Sequence, residues 1–128
     1  MPLRQRPLSP HLQIYRPQIT SVLSITHRMT GIFISIGAVA LVAWLAALAG
    51  GEESFQWAED AVSSVLGQVF LLATLAAFWY HFCNGIRHLA WDAGKGLDLA
   101  NVHRTGIVVI VFTLLLTAAT WLSAFYGD

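Results

Sequence analysis

Three long, almost uninterrupted apolar segments, residues 25–49, 65–91 and 106–126, are separated by short polar stretches. Each reaches or exceeds the ~20 residues that a helix needs to cross a ~30 Å hydrocarbon layer. Three spans are too few for a closed barrel, and lipid cannot satisfy the open edges of strands, so the pattern predicts an all-α integral membrane protein with three transmembrane helices. Ahead of the first span, residues 1–20 read as a polar cytoplasmic arm with four prolines and no apolar core of its own, unlike a cleaved signal. Between the first two spans, Phe55, Ala58, Val62 and Val65 recur at helical spacing, a short amphipathic stretch read as the run-in to span two. Gly94 and Gly96 are placed to end that span. No repeat or composition shift divides the chain, so residues 1–128 are expected to form one membrane-anchor domain.

Composition agrees: of 128 residues, 56% are hydrophobic and 11% charged, too apolar for a soluble domain. The formal net charge is zero, which leaves no electrostatic case for nucleic acid. The single cysteine, Cys83, lies within span two and excludes an intrachain disulfide. Arg4, Arg6, Arg16 and Arg28 lie at or before the start of span one, whereas the loop before span two holds Glu52, Glu53, Glu59 and Asp60 and no cation. By the positive-inside rule the N-terminus is cytoplasmic and the C-terminus lies across the membrane, in the periplasm of a bacterium. Trp44, Trp57, Trp91, Trp121 and Tyr126 stand near the ends of the spans, as interface belts or as helix-packing residues.

Candidate chemistry gathers on the cytoplasmic half. His81 stands inside an apolar run, about 15 Å from Trp91 at helical rise, and an ionisable group at that depth marks a functional site. His81, Asn84, Gly85 and His88 fall on one helix face, with His88 about 10 Å nearer the cytoplasm. This suits an upright haem with iron at mid-depth, and His27, Arg28, Arg87 and His88 are the cations available for its propionates. The residues alone leave other roles open: His81 as an interhelical hydrogen-bonding residue or proton relay, and Arg28, Arg87 and His88 as interfacial anchors. His11 and His103 read as solvated. The entry to span one, from Thr20 to Gly31, is rich in hydroxyls, and Ser21, Ser24 and Arg28 share a face. Such donors suit a quinone head group, or else cap the helix and bond back to carbonyls four residues earlier.

Two separated motifs carry a resemblance over nearly the whole chain. Arg6-Pro7-Leu8-Ser9-Pro10-His11-Leu12 leads into Ser24-Ile25-Thr26-His27-Arg28-Met29-Thr30-Gly31, and His81 is followed by Gly85-Ile86-Arg87-His88-Leu89 and Trp91-Asp92. In this respect the chain resembles the cytochrome b subunits of the succinate dehydrogenase (complex II) membrane anchor, especially the bacterial branch nearest mitochondria. The resemblance implies a heterodimeric haem-binding helix bundle, in which this chain and a second anchor subunit hold one haem b and dock on an iron-sulfur subunit that receives electrons from a flavoprotein subunit. It implies His81 as this chain's axial ligand, His27, Arg28 and His88 near the propionates, and Ser24 and Arg28 at the ubiquinone site. It further implies a bacterial inner membrane location and a place in the tricarboxylic acid cycle and respiratory chain. His81, Arg28 and Arg87 need an interior that three helices barely enclose, so an obligate hetero-oligomer is expected. Competing readings are a fumarate reductase anchor using menaquinone and a non-enzymatic membrane module with a histidine proton relay.

Overall fold

The computed structural model describes residues 18–127. The arm motif containing His11, with Arg4, Arg6 and Arg16, lies outside the described residues. Four helices follow one another: α1 (Ile19–Ala49), α2 (Glu52–Ser63), α3 (Val65–Asp92) and α4 (Leu99–Tyr126). The prolines all precede α1, so no span loses a backbone donor in its interior. α1, α3 and α4 are each long and apolar enough to cross a membrane.

The short element differs from the expected run-in. α2 is a helix of its own, because Ser64 leaves helical geometry (φ −66°, ψ 157°) and breaks the chain between α2 and α3. The Ser64 hydroxyl accepts a hydrogen bond from the Gly67 N–H at 3.0 Å, so the break is also the N-cap of α3. Glu52 and Glu53 occupy the first turn of α2, where carboxylates oppose the positive end of the helix dipole.

Both other spans begin earlier than the apolar pattern marks. α1 starts at Ile19 and α4 at Leu99, each adding a polar turn or two at the same end of the bundle as the C-terminus of α3. α3 stops where its glycines suggest. Gly94 adopts φ +74°, its N–H bonds to the Trp91 carbonyl at 2.8 Å, and the Lys95 N–H reaches the Ala90 carbonyl at 2.9 Å. These two bonds satisfy carbonyls at the end of α3 and turn the chain sharply toward α4.

α3 is the central helix and packs on the other three. The bundle buries polar residues beside apolar ones and exposes large apolar side chains: Asn84, Arg87 and Thr113 are buried, whereas Ile32, Val39, Leu66 and Leu114 are exposed. Lipid is as apolar as leucine, so helix association here rests on close packing and interhelical hydrogen bonds. Leu23, Tyr80 and Val109 form a small core joining α1, α3 and α4. Tyr80 donates to the Leu23 carbonyl at 2.7 Å, and Trp79 Nε1 donates to Thr120 at 3.0 Å, tying α3 to α1 and to α4.

Candidate functional site

The site lies where α1 begins and α3 ends. Ser24, His27 and Arg28 come from consecutive turns of α1, and His81 and His88 from α3, two helical turns apart. His81 is half-buried, and its Nδ1 lies 3.0 Å from the His27 carbonyl and 3.2 Å from Thr30 Oγ1. A carbonyl can only accept, and the Thr30 hydroxyl already donates its proton to the His27 carbonyl at 2.9 Å. These partners assign the proton to Nδ1, which leaves the lone pair of the neutral ring on Nε2, with no hydrogen bond among the described residues. Metal-ligating histidines have this arrangement, one nitrogen fixed to a carbonyl and the other free to coordinate.

Gly31 makes the arrangement possible. A Cβ at this position would lie 3.0 Å from His81 Cε1, so any larger residue would crowd the imidazole. Gly85, the glycine singled out from its spacing, has only the edge of His27 near it, at 4.0 Å from a hypothetical Cβ. Its flank is therefore open to a flat ligand.

The three site histidines form a row. The rings of His27 and His81 stack at 3.9 Å with an 8° interplanar angle, and His88 lies 5.1 Å from His27 by ring centroids. His27 Nδ1 is buried without a hydrogen-bond partner among the described residues. Asn84, expected on the same face, is fully buried and accepts from Arg87 instead.

The hydroxyl cluster divides. Thr26 bonds back to the Val22 carbonyl at 2.7 Å, as serine and threonine often do in helices. Ser24 makes no such bond; it is half-buried and its hydroxyl is free among the described residues. Together with Thr20, Ser21 and Ile25 it lines an open depression of about 420 Å³. The helix cap is Gln18, not Thr20 or Ser21. Arg28, one turn beyond Ser24, is exposed and has no hydrogen bond or ion pair among the described residues, but it does not line the depression.

Arg87 departs from the sequence reading. It is buried within this chain, bonded through Nη1 to Asn84 Oδ1 (3.2 Å), through Nε to Thr105 Oγ1 (3.1 Å) and through Nη2 to the Val102 carbonyl (2.9 Å). Its interior is supplied by α4, so this cation needs no second subunit. The Asn84-Arg87-Trp91 spacing was legible as neighbours on one helix face, but nothing in the sequence identifies Val102 and Thr105 as partners. Among the described residues no three histidine, cysteine, aspartate or glutamate side chains converge on one point. A haem iron requires only one protein ligand on each side.

Residues 2–120 match the family model described as succinate dehydrogenase/fumarate reductase transmembrane subunit. The chain is 44% identical over 117 residues to the succinate dehydrogenase cytochrome b556 subunit of Rickettsia conorii, covering 91% of both chains. It is 38% identical over 115 residues to the protein of that name from Paracoccus denitrificans, covering 90% of this chain and 88% of that one. It is also 43% identical over 115 residues to the mitochondrial cytochrome b560 subunit of Bos taurus, covering 86% of this chain and 66% of the bovine one.

Proposed function

The chain belongs to the succinate dehydrogenase/fumarate reductase transmembrane subunit family, and from that premise we propose that it is the cytochrome b anchor of a bacterial succinate dehydrogenase, binding haem b and helping to form the ubiquinone site. The observation that carries the haem assignment is the His81 ring, whose proton is held at Nδ1 by the His27 carbonyl and Thr30 while Nε2 is free. His81 would hold the haem from this chain together with a second anchor subunit, and the iron-sulfur and flavoprotein subunits would complete the enzyme. Bound haem would supply one-electron chemistry.

The chain's own residues bind, orient and neutralise. His81 is oriented by two α1 acceptors before any ligand arrives, which lowers the ordering cost of coordination. His27 and His88, whose rings lie side by side, would stand near the propionates, with Arg28 supplying charge. Ser24 offers a hydroxyl with no competing bond, and Arg28 a fixed cation, to a quinone carbonyl oxygen as negative charge develops on it. With the basic arm inside, the site faces the cytoplasm, where the soluble subunits dock and protons are drawn.

The test is a dithionite-reduced minus oxidised spectrum of the complex purified from membranes in mild detergent, for the parent protein and His81→Ala. A b-type signal is expected in the parent, with its loss or marked weakening in the variant while the chain remains inserted. An unchanged haem spectrum in His81→Ala would reassign the ligand.

A further inference from the structure

Among the described residues Arg87 is the only cation withdrawn from water, at 6% exposure, and no carboxylate accompanies it. An uncompensated buried guanidinium is costly, so its hydrogen bonds and ring contact must hold it in one place. Two of its nitrogens bond to Thr105 and Val102 in the first turns of α4, and a third bonds to Asn84. The remaining face of the planar group lies over Trp91, with the guanidinium carbon 4.2 Å from the ring centroid. Trp91 in turn meets His88 edge to face, at 4.9 Å between centroids and 83° between planes. A continuous series of contacts therefore runs from α4 through Arg87 and Trp91 to the end of the histidine row.

We infer that Arg87 is a positioning residue: anchored on α4, its guanidinium clamps Trp91 and thereby sets the His88 imidazole. The inference rests on the placement of His88 beside the haem under Proposed function. Lysine keeps the charge but has neither the fork that reaches Thr105 and Val102 together nor the flat face that stacks on indole, so Arg87→Lys separates position from charge. A donor or cation near a propionate favours the reduced haem, and its misplacement lowers the midpoint potential.

The experiment is a redox titration of the haem in the intact complex carrying Arg87→Lys, His88→Gln or both. Downward shifts of similar size in the two single variants, and no further shift in the double variant, are expected, because both changes act through the same imidazole. A parental potential in Arg87→Lys alongside a shifted His88→Gln, or shifts that add, would overturn the inference, leaving Arg87 as a staple between α3 and α4. Should Arg87→Lys fail to assemble, Trp91→Leu removes the middle of the series while keeping the α4 hydrogen bonds, and the same comparison is made with it. If His88→Gln leaves the potential unchanged, the failure lies in the placement of His88 beside haem. Electron cryomicroscopy of the Arg87→Lys or Trp91→Leu complex then decides the positioning role: a displaced His88 ring sustains it, and an unmoved ring refutes it.

Discussion

Replacing Gly31 with alanine tests the link between helix packing and haem binding. The added methyl would stand 3.0 Å from His81 Cε1 and 3.6 Å from Nδ1, so the ring must retreat from α1 by about half an ångström to regain ordinary carbon contact. Both acceptors of Nδ1, the His27 carbonyl at 3.0 Å and Thr30 Oγ1 at 3.2 Å, belong to α1. Retreat therefore lengthens both toward or beyond the limit of a hydrogen bond. Two interhelical bonds at ~0.6 kcal/mol each, an average for membrane interiors, amount to ~1.2 kcal/mol, or nearly tenfold in affinity. That is the lower end of the 10–100-fold loss typical when the partner of a metal-ligating histidine is removed. Alanine is the better helix former by ~0.5–1 kcal/mol, so haem loss could not be attributed to a weaker α1. The assay is haem titration of haem-depleted complex, followed in the Soret band, with complex assembly checked by gel filtration. Wild-type affinity in Gly31→Ala would refute the claim that the α1 approach orients His81.

Thr30→Val removes one of the two Nδ1 acceptors without changing side-chain size much, and is expected to weaken haem binding by about threefold in the same titration, consistent with one such bond. Ser24→Ala and Arg28→Leu should depress electron transfer from succinate to ubiquinone far more than transfer to an artificial acceptor at the soluble subunits; equal losses in both assays would place these residues in assembly. Ser64→Ala removes the N-cap of α3 at the end of the bundle away from the histidines, and should lower thermal stability by about 1 kcal/mol with an unchanged haem spectrum, read by thermal denaturation followed with circular dichroism.

Residues on α3 divide by burial. Tyr80 and Arg87 are buried and join helices within the chain, Asn84 is buried and bonded to Arg87 along α3, and His81 and His88 are half-buried beside them. Neighbouring residues on one helix thus divide between buried interhelical partners and half-buried histidines. Near the other end, α1, α2 and α3 border a groove of about 1110 Å³ lined by apolar residues such as Leu41, Trp44, Leu66 and Phe70. None of the candidate site residues reaches it.

What the sequence determined by itself was whatever depends on local pattern. Continuous apolar runs specify membrane-spanning helices because lipid leaves the backbone no other solution, and Gly94 specifies a helix end because the required positive φ strains other residues. His81 was legible as a candidate because a polar group is costly at such depth, and His27, Arg28 and Ser24 because cations and hydroxyls cluster at the mouth of span one. Only the tertiary structure decided which groups meet. It brought the His27 carbonyl and Thr30 to the Nδ1 of His81, left Ser24 unbonded among the described residues while Thr26 folded back, and turned Arg87 to α4 rather than outward. It also separated α2 from α3 at Ser64, a break that helical spacing runs straight across. Periodicity reports the face a side chain occupies on its own helix, but the partner across the interface depends on helix rotation and separation, and these are set by contacts such as Gly31 against His81 that join residues fifty positions apart.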